Sequence, residues 1–147
     1  MGKTSRSLFI GDLLTKKINE KKDFDFHCEL ISLNELDIPI CDGNNNLNNK
    51  TVLDLSNKIE NCDGIIIFTP IYNYNINSAL KNLIEMTGNS WKKKIVGFVC
   101  IAGGEKSYMS VMPFANSLML DHRCVIIPRF VYIESSDFID NNKLNDA

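Results

Sequence analysis

The chain has 147 residues, of which 44% are hydrophobic and 23% charged, values typical of one globular domain. Its formal net charge of -2 provides no basic surface, so nucleic-acid binding is not expected. No apolar run approaches the roughly 20 residues that cross a bilayer, and the first residues, MGKTSRS, lack the apolar core of a signal peptide. We therefore expect a soluble, cytoplasmic protein without membrane contact.

The cysteines and histidines give little sign of a metal site or of disulfides. The two histidines, His27 and His122, are far apart in the sequence, so a structural metal site is not expected. Five cysteines form an odd set without a close pair, and most lie in or beside apolar runs: Cys28, Cys41, Cys62, Cys100 and Cys124. This pattern predicts reduced, mostly buried thiols.

The first half of the chain predicts two helices and a strand. Apolar residues spaced by three and four predict an amphipathic helix over about 7–22. The run FHCELISL at 26–33 is short, apolar and partly alternating, which predicts a strand. The polar run NNNLNN at 44–49 predicts a loop, and the apolar stripe that follows predicts a second helix over about 50–61.

The second half predicts further strands that alternate with helices. Apolar runs predict three buried strands, at 64–69, 94–102 and 124–133. Between them, apolar stripes predict helices over about 77–88 and 108–121, the first of which ends at Gly88. Strands that alternate with helices predict an α/β fold with a doubly wound parallel sheet in three α/β/α layers.

In a doubly wound sheet, ligands bind beyond the carboxyl ends of the strands, so the loops at that edge are the candidate sites. The first loop is GKTSRS at 2–7, which runs directly into a helix. Free N–H groups at a helix start, together with Ser and Thr hydroxyls and Arg6, favour a phosphate. The alternative is that Thr4, Ser5 or Ser7 only caps the helix while Arg6 remains in water.

The sequence Gly-Lys-Thr at 2–4 also resembles half of a nucleotide-triphosphate loop. No strand precedes it, and the strand at 64–69 ends in Thr69 rather than in an acidic residue that could hold magnesium. The triphosphate interpretation is therefore disfavoured.

The second loop follows the strand at 64–69. Pro70 ends the strand's hydrogen bonding, and Tyr72 and Tyr74 offer flat surfaces for an aromatic ring. The backbone from Ile71 to Asn73 is a candidate donor of N–H groups to that ring, and Asn73 is a candidate brace of the loop. The alternative is a surface turn, with Asn77 or Ser78 as the cap of the next helix.

The third loop begins at Ala102, Gly103 and Gly104, after the strand at 94–102. Consecutive glycines allow a planar ligand to approach the backbone closely, although a plain turn has the same pattern.

The run T-P-x-Y-N-Y, followed at a fixed distance by Ala79-Leu80-Lys81-Asn82, resembles the flavin loop of the NAD(P)H-dependent FMN reductases, a flavodoxin-like family. The resemblance covers nearly the whole chain in order. It implies that Ser5, Arg6 and Ser7 hold the FMN phosphate. It also implies that two groups of residues contact the isoalloxazine, namely Pro70, Ile71, Tyr72 and Asn73 on one side and Ala102, Gly103 and Gly104 on the other.

The family resemblance also implies an activity, a cofactor pair and a homodimer. A hydride would pass from NAD(P)H to FMN and on to a small acceptor such as a quinone, an azo compound, a metal oxyanion or free flavin. The alternatives are a flavodoxin-like electron carrier and a non-catalytic remnant that no longer binds FMN. For the homodimer, exposed apolar residues of the helix at 77–88 are the only sequence indication.

The resemblance predicts an incomplete domain at both ends. The family begins with an apolar strand that precedes the phosphate loop, and it ends with a helix for which the residues after Ser135 are too few and too polar. In the flavodoxin-like order the first strand is central, so we expect unpaired backbone groups on the two strands that would flank it, at 26–33 and 64–69.

Overall fold

The structure is a computed structural model that describes residues 5–22, 25–43, 48–140 and 143–145. Its α-helices are α1 (Arg6–Asn19), α2 (Lys50–Asn61), α3 (Ser78–Thr87) and α4 (Met112–His122). Its strands are β1 (Gly64–Pro70), β2 (Ile95–Ala102), β3 (Val125–Ile126), β4 (Val131–Glu134), β5 (Phe138–Asp140) and β6 (Lys143–Leu144). No described helix is long and apolar enough to cross a membrane.

The main sheet is parallel and is built around β2. Strand β1 pairs with β2 along its whole length, from Gly64 opposite Ile95 to Pro70 opposite Ile101. On its other side β2 pairs with β3 and then with β4. Strands β5 and β6 form a separate antiparallel pair. The predicted parallel α/β architecture is confirmed.

Two apolar cores, one on each face of the sheet, produce the three layers. The larger core joins one face of the sheet to apolar residues of α2, α3 and α4, and Phe98 at its centre makes edge-to-face contacts with Phe114 and Phe130. The smaller core joins Ile10 of α1 to residues of β2 and to Phe138 of β5. Gly11 lets α1 lie close to β1 and to the segment at 26–33. A Cβ atom at this position would come within 3.5 Å of the Phe68 ring and within 2.9 Å of the Leu30 side chain.

Each of the first three helices begins at a side chain that caps it. The side-chain oxygens of Ser5, Asn49 and Asn77 accept hydrogen bonds from the backbone N–H groups of Leu8, Val52 and Leu80, respectively. The predicted caps Ser5 and Asn77 are thereby confirmed. Thr4, the other residue considered for α1, lies outside the described residues, as do residues 44–47 of the predicted polar loop.

The helix bounds follow the sequence patterns closely, except at the start of α4. Helix α3 ends at Thr87 with Gly88 as its C-cap, so the predicted stop at Gly88 is confirmed. The helix expected from 108 begins instead at Met112, because residues 108–111 form turns and Pro113 occupies the first helical turn. The apolar side chains of α3 that were expected to be exposed are largely buried in the chain's own core, so the sequence indication of a homodimer was wrong.

The prediction of a strand at 26–33 was wrong. The segment has no sheet partner among the described residues, and a strand requires one. The Asn19 side chain instead donates to the carbonyl of Cys28 and accepts from its N–H group, while Lys58 forms an ion pair with Glu29. These contacts hold the segment beside α1 and α2 without a ladder of hydrogen bonds.

The last predicted strand, at 124–133, is divided into β3 and β4. Pro128 has no N–H group to donate, so the hydrogen-bond ladder to β2 is interrupted there. Ile127 retains one ladder bond, from its N–H group to the carbonyl of Val96 at 2.9 Å. Pairing with β2 resumes at Val131.

One edge of β1 has no partner among the described residues. The N–H group of Ile71 donates to Ile101 of β2, so by the alternation of a strand the N–H groups of Ile66 and Phe68 point away from β2. The side chain of Ile66 is 43% exposed although it lies in the middle of its strand. This open edge agrees with the expectation of unpaired backbone groups on the strand at 64–69.

All five cysteines are free. Cys100 and Cys124 are buried, Cys28 and Cys62 are half-buried, and Cys41 is exposed. The prediction of buried thiols therefore holds for Cys100 of β2 and for Cys124, which directly precedes β3, and is wrong for Cys41.

Candidate functional site at the carboxyl edge of the sheet

The second and third loops meet beyond the carboxyl ends of β1 and β2, where they line an open cavity of about 520 Å³. The second loop contributes Ile71, Asn73 and Tyr74, and the third contributes Gly103, Gly104, Lys106 and Ser107. A volume of this size lies in the range of small-molecule sites. The edge of the sheet that the α/β pattern predicted for a ligand therefore carries a cavity.

The second loop is a tight turn. Tyr72 and Asn75 exchange backbone hydrogen bonds, both at 2.9 Å, while Asn73 and Tyr74 between them have left-handed φ angles of 50° and 58°. Left-handed φ at both central residues defines the type I′ turn, which costs energy at a tyrosine. The turn leaves Tyr72 and Tyr74 58% and 65% exposed beside the cavity. The sequence indicated a surface turn as the alternative for this loop but did not indicate the type of turn.

The turn also reduces the number of N–H groups that the second loop offers to a ligand. The N–H group of Ile71 donates to Ile101 at 2.8 Å, and that of Tyr72 donates to Asn75. Of the three donors expected from Ile71 to Asn73, the structure therefore uses two within the fold, and only Asn73 has an N–H group without a described acceptor. Sequence reasoning could not foresee this, because it depends on the turn type.

Other asparagines brace the second loop in place of Asn73. Asn77 donates from its side chain to the hydroxyl of Thr69 at 3.4 Å and caps α3 with its oxygen. The side chain of Asn75 accepts from the N–H group of Ile76 at 2.8 Å. Thr69 itself is fully buried and donates to the carbonyl of Pro70. The asparagines around the turn thus connect it to the end of β1 and the start of α3.

The third loop presents bare backbone to the cavity. Gly103 and Gly104 are exposed, and a Cβ atom added to either would have no neighbour within 4 Å. The side chain of Tyr132 on β4 holds this loop. Tyr132 donates from its hydroxyl to the carbonyl of Gly104 at 2.8 Å, and the Ser107 and Tyr132 hydroxyls hydrogen-bond to each other. The sequence analysis did not identify Tyr132.

The described residues of the first loop, Ser5, Arg6 and Ser7, lie at the start of α1 and are not part of the described lining of the cavity. The Ser5 and Ser7 hydroxyls hydrogen-bond at 2.8 Å. Arg6 donates to the Ser135 hydroxyl at 2.8 Å, and its guanidinium lies 4.7 Å from the centre of the Phe138 ring. The interpretation in which Arg6 remains in water is therefore wrong.

Ser135 links the first loop to the third. Besides accepting from Arg6, its hydroxyl donates to the carbonyl of Ala102 at 3.4 Å, the last residue of β2. The structure thus joins the start of α1, the end of β2 and the turn after β4 at one edge of the sheet. Pro70 and Ala102 end their strands beneath this edge.

The electrostatics of the cavity are simple. Lys106 is the charged residue among the lining side chains that are described, and the rest of the lining is aromatic, amide or backbone. Such a site offers flat surface, hydrogen-bond donors and one cation. It suits a planar, polar or anionic ligand.

Comparison with known proteins identifies relatives over most of the chain. A family model described as NADPH-dependent FMN reductase matches residues 1–137. An NAD(P)H-dependent FAD/FMN reductase of Geobacillus thermodenitrificans is 27% identical over 123 residues, which cover 80% of this chain. The matched region is 65% of that relative's length.

Solved structures confirm the flavodoxin-like fold expected from the sequence. FerB of Paracoccus denitrificans, a flavoenzyme NAD(P)H:(acceptor) oxidoreductase, matches 99% of this chain and 82% of its own, with a TM-score of 0.71 and 22% identity. The apo form of an NADH:FMN oxidoreductase, EMOB, matches 92% of this chain and 72% of its own, with a TM-score of 0.72 and 15% identity.

Proposed function

Because the chain belongs to the NADPH-dependent FMN reductase family, we propose that it is an FMN-dependent oxidoreductase that transfers electrons from NAD(P)H to a small acceptor. The observation that carries this proposal is the cavity between the second and third loops, with bare glycine backbone on one side and Asn73 and Tyr74 on the other. The acceptor class is a quinone, an azo compound, a metal oxyanion or free flavin.

The residues around the cavity fit FMN. The open space in front of Gly103 and Gly104 admits a flat ring, and the N–H group of Asn73 remains as a donor to the ring's edge. Pro70, Ile71, Tyr72 and Ala102 would support the ring from the strand ends. Ser5, Arg6 and Ser7 would hold the phosphate at the start of α1, where the helix dipole favours an anion.

Bound FMN would supply the redox chemistry, since it accepts a hydride from nicotinamide and returns electrons to an acceptor. The chain would bind the ring and orient it. Tyr72 and Tyr74 stand exposed beside the cavity and would border the open side, where nicotinamide and acceptor would take turns. No side chain of the chain is required as an acid or base.

Titration of the purified chain with FMN tests the proposal directly. We expect quenching of flavin fluorescence on binding, and oxidation of NADH or NADPH once FMN and an acceptor are supplied. A panel of acceptors from the four classes would identify the preferred one. Alternating use of one site predicts ping-pong kinetics. A chain that neither quenches FMN fluorescence nor oxidises either nucleotide would contradict the proposal.

We further propose that the protein acts as a homodimer in the cytoplasm. Free thiols at all five cysteines are typical of a reducing compartment. A second copy would cover exposed large apolar side chains in the second loop and just after the third: Tyr72, Tyr74, Tyr108 and Met109. Light scattering with the FMN-loaded protein tests the dimer, and a monomer at micromolar concentration would contradict it.

A further inference from the structure

The third loop is attached to the sheet mainly by a tyrosine of a neighbouring strand. Tyr132 lies on β4, opposite Cys100 of β2. Its hydroxyl donates to the carbonyl of Gly104 at 2.8 Å and hydrogen-bonds to the Ser107 hydroxyl. Its ring makes an edge-to-face contact with Tyr108, with 5.6 Å between ring centres. One side chain thus contacts the loop at three positions.

The position of Tyr132 is set by rigid parts of the fold. Strand β4 pairs with β2 at four successive positions, and the Tyr132 ring packs against the larger core. A half-buried aromatic side chain has few alternative rotamers, so its hydroxyl lies at a defined height above the sheet.

The loop itself has few other restraints. Gly103 and Gly104 carry no side chains, and the short helical turn 105–107 begins without a side-chain cap. The Ser107 hydroxyl also lies 3.4 Å from the carbonyl of Gly104, but Ser107 moves with the loop. Among the side-chain contacts of the described residues, the hydroxyl of Tyr132 is therefore the one that relates Gly104 and Ser107 to the sheet.

We propose that Tyr132 is a positioning residue that latches the third loop and sets the height of Gly103 and Gly104 above the cavity. The ligand part of this inference rests on the proposed function, because those glycines would face the flavin ring. The attachment of the third loop to the sheet by Tyr132 does not depend on the proposed function. Without the hydroxyl, the Gly104 carbonyl and the Ser107 hydroxyl lose a partner that is fixed to the sheet, and the loop opens more often.

Hydrogen exchange of the ligand-free protein tests the latch alone. In Tyr132→Phe we expect the amides of 103–107 to exchange about fivefold faster, the effect of losing a hydrogen bond worth about 1 kcal/mol. Amides of β1 and β2 should keep their rates. The matched control is Ser117→Ala, which removes a hydroxyl bonded to the Phe114 carbonyl on α4 and should leave the loop unchanged. Equal acceleration throughout the protein, or none in the loop, would overturn the latch.

FMN titration of the same variants tests the effect on the site. We expect the Kd of Tyr132→Phe to rise about fivefold and that of Ser117→Ala to stay at the wild-type value. The double variant Tyr132→Phe with Ser107→Ala should bind only slightly more weakly than Tyr132→Phe, because both changes break the same bond. Wild-type protein that binds no FMN refutes the proposed function and leaves the exchange result as the test of the latch. An unchanged Kd in Tyr132→Phe, with wild-type binding intact, overturns the positioning role.

Discussion

Gly104 faces open space, and this makes it a selective probe of the cavity. A Cβ atom there has no neighbour within 4 Å, and the residue has extended backbone that any amino acid adopts. Larger side chains at this position should therefore fill the cavity without disturbing the fold.

We expect the series Gly104→Ala, Gly104→Val and Gly104→Leu to leave the free energy of unfolding within about 0.5 kcal/mol of the wild type. The Kd for FMN should rise with each step in size, by at least about tenfold for leucine, since the side chain would occupy the space of the ring. Urea unfolding and FMN titration measure the two quantities. Equal FMN affinity across the series would place the ligand elsewhere.

Cys100 is buried in the middle of β2, and burial raises the pKa of its thiol from the ordinary value of 9.0 to about 11. The folded state therefore holds the proton that the unfolded state releases above about pH 9. Stability from this group is complete below that pH and is lost as pH rises toward 11, at up to about 1.4 kcal/mol per pH unit.

We expect the free energy of unfolding to fall less steeply between about pH 9 and about pH 10.5 in Cys100→Ala than in the wild type. Urea unfolding at several pH values in that window measures the two slopes. The comparison of slopes, rather than of absolute stabilities, separates the thiol from the loss of packing. Identical slopes would show that Cys100 does not titrate in this range.

Residue patterns predicted the capping residues at the starts of helices. They failed where a residue's conformation depends on the type of turn or where its contact is with a residue far along the chain. The cap by Asn77 follows from its place before an apolar stripe. The left-handed φ at Tyr74 does not, because tyrosine has no preference for it. The contact of Arg6 with Ser135 joins residues 129 positions apart, which no local pattern can reveal.

At the scale of elements, the Asn77 side chain makes two hydrogen bonds at the start of α3. Its oxygen caps the helix at 2.8 Å from the Leu80 nitrogen, and its amide donates to Thr69 at the end of β1. Among its described contacts, the Asn49 side chain only caps its helix, α2, with its oxygen 3.2 Å from the Val52 nitrogen.

We expect Asn77→Ala to lower the free energy of unfolding by about 2 kcal/mol and Asn49→Ala by about 1 kcal/mol. Asn77→Asp should cost less than Asn77→Ala, because a carboxylate still accepts from Leu80 and is favoured at a helix start. Urea unfolding of the three variants provides the comparison. A wild-type stability for Asn77→Ala would show that water replaces both contacts.

Elements with a strong pattern and a partner were predicted well. Strands β1 and β2 are apolar on both faces, as covered parallel strands are, and their bounds match the apolar runs. The segment 26–33 has a strand-like pattern, but the pattern carries no information about a neighbour, and the described structure has none beside it. Strand pairing is a property of the sheet rather than of the segment.

At the scale of the whole molecule, the edge of β1 that faces away from β2 has no partner among the described residues. Neighbouring isoleucines in this strand point to opposite faces, with Ile66 43% exposed and Ile67 only 6% exposed. Unpaired edges of this kind pair with other chains unless a charge or a cover prevents it.

We expect Ile66→Lys to raise the protein concentration at which aggregation begins and to change the free energy of unfolding by less than about 1 kcal/mol. Ile67→Lys, the matched control, places an unpaired charge in the larger core and should prevent folding. Light scattering against concentration and circular dichroism measure these outcomes. Aggregation of Ile66→Lys at the wild-type concentration would show that the edge is already shielded.

The hydrogen bonds from Arg6 to Ser135 and from Ser135 to Ala102 have a consequence for the order of events in the cell. They join the first turn of α1 to a turn that follows β4, 129 positions further along the chain. A nascent chain on the ribosome has α1 and β1 long before it has Ser135. If Ser5, Arg6 and Ser7 hold the FMN phosphate as proposed, that part of the site is complete only after Ser135 has been synthesised, and an intermediate that lacks Ser135 presents the start of α1 without this anchor.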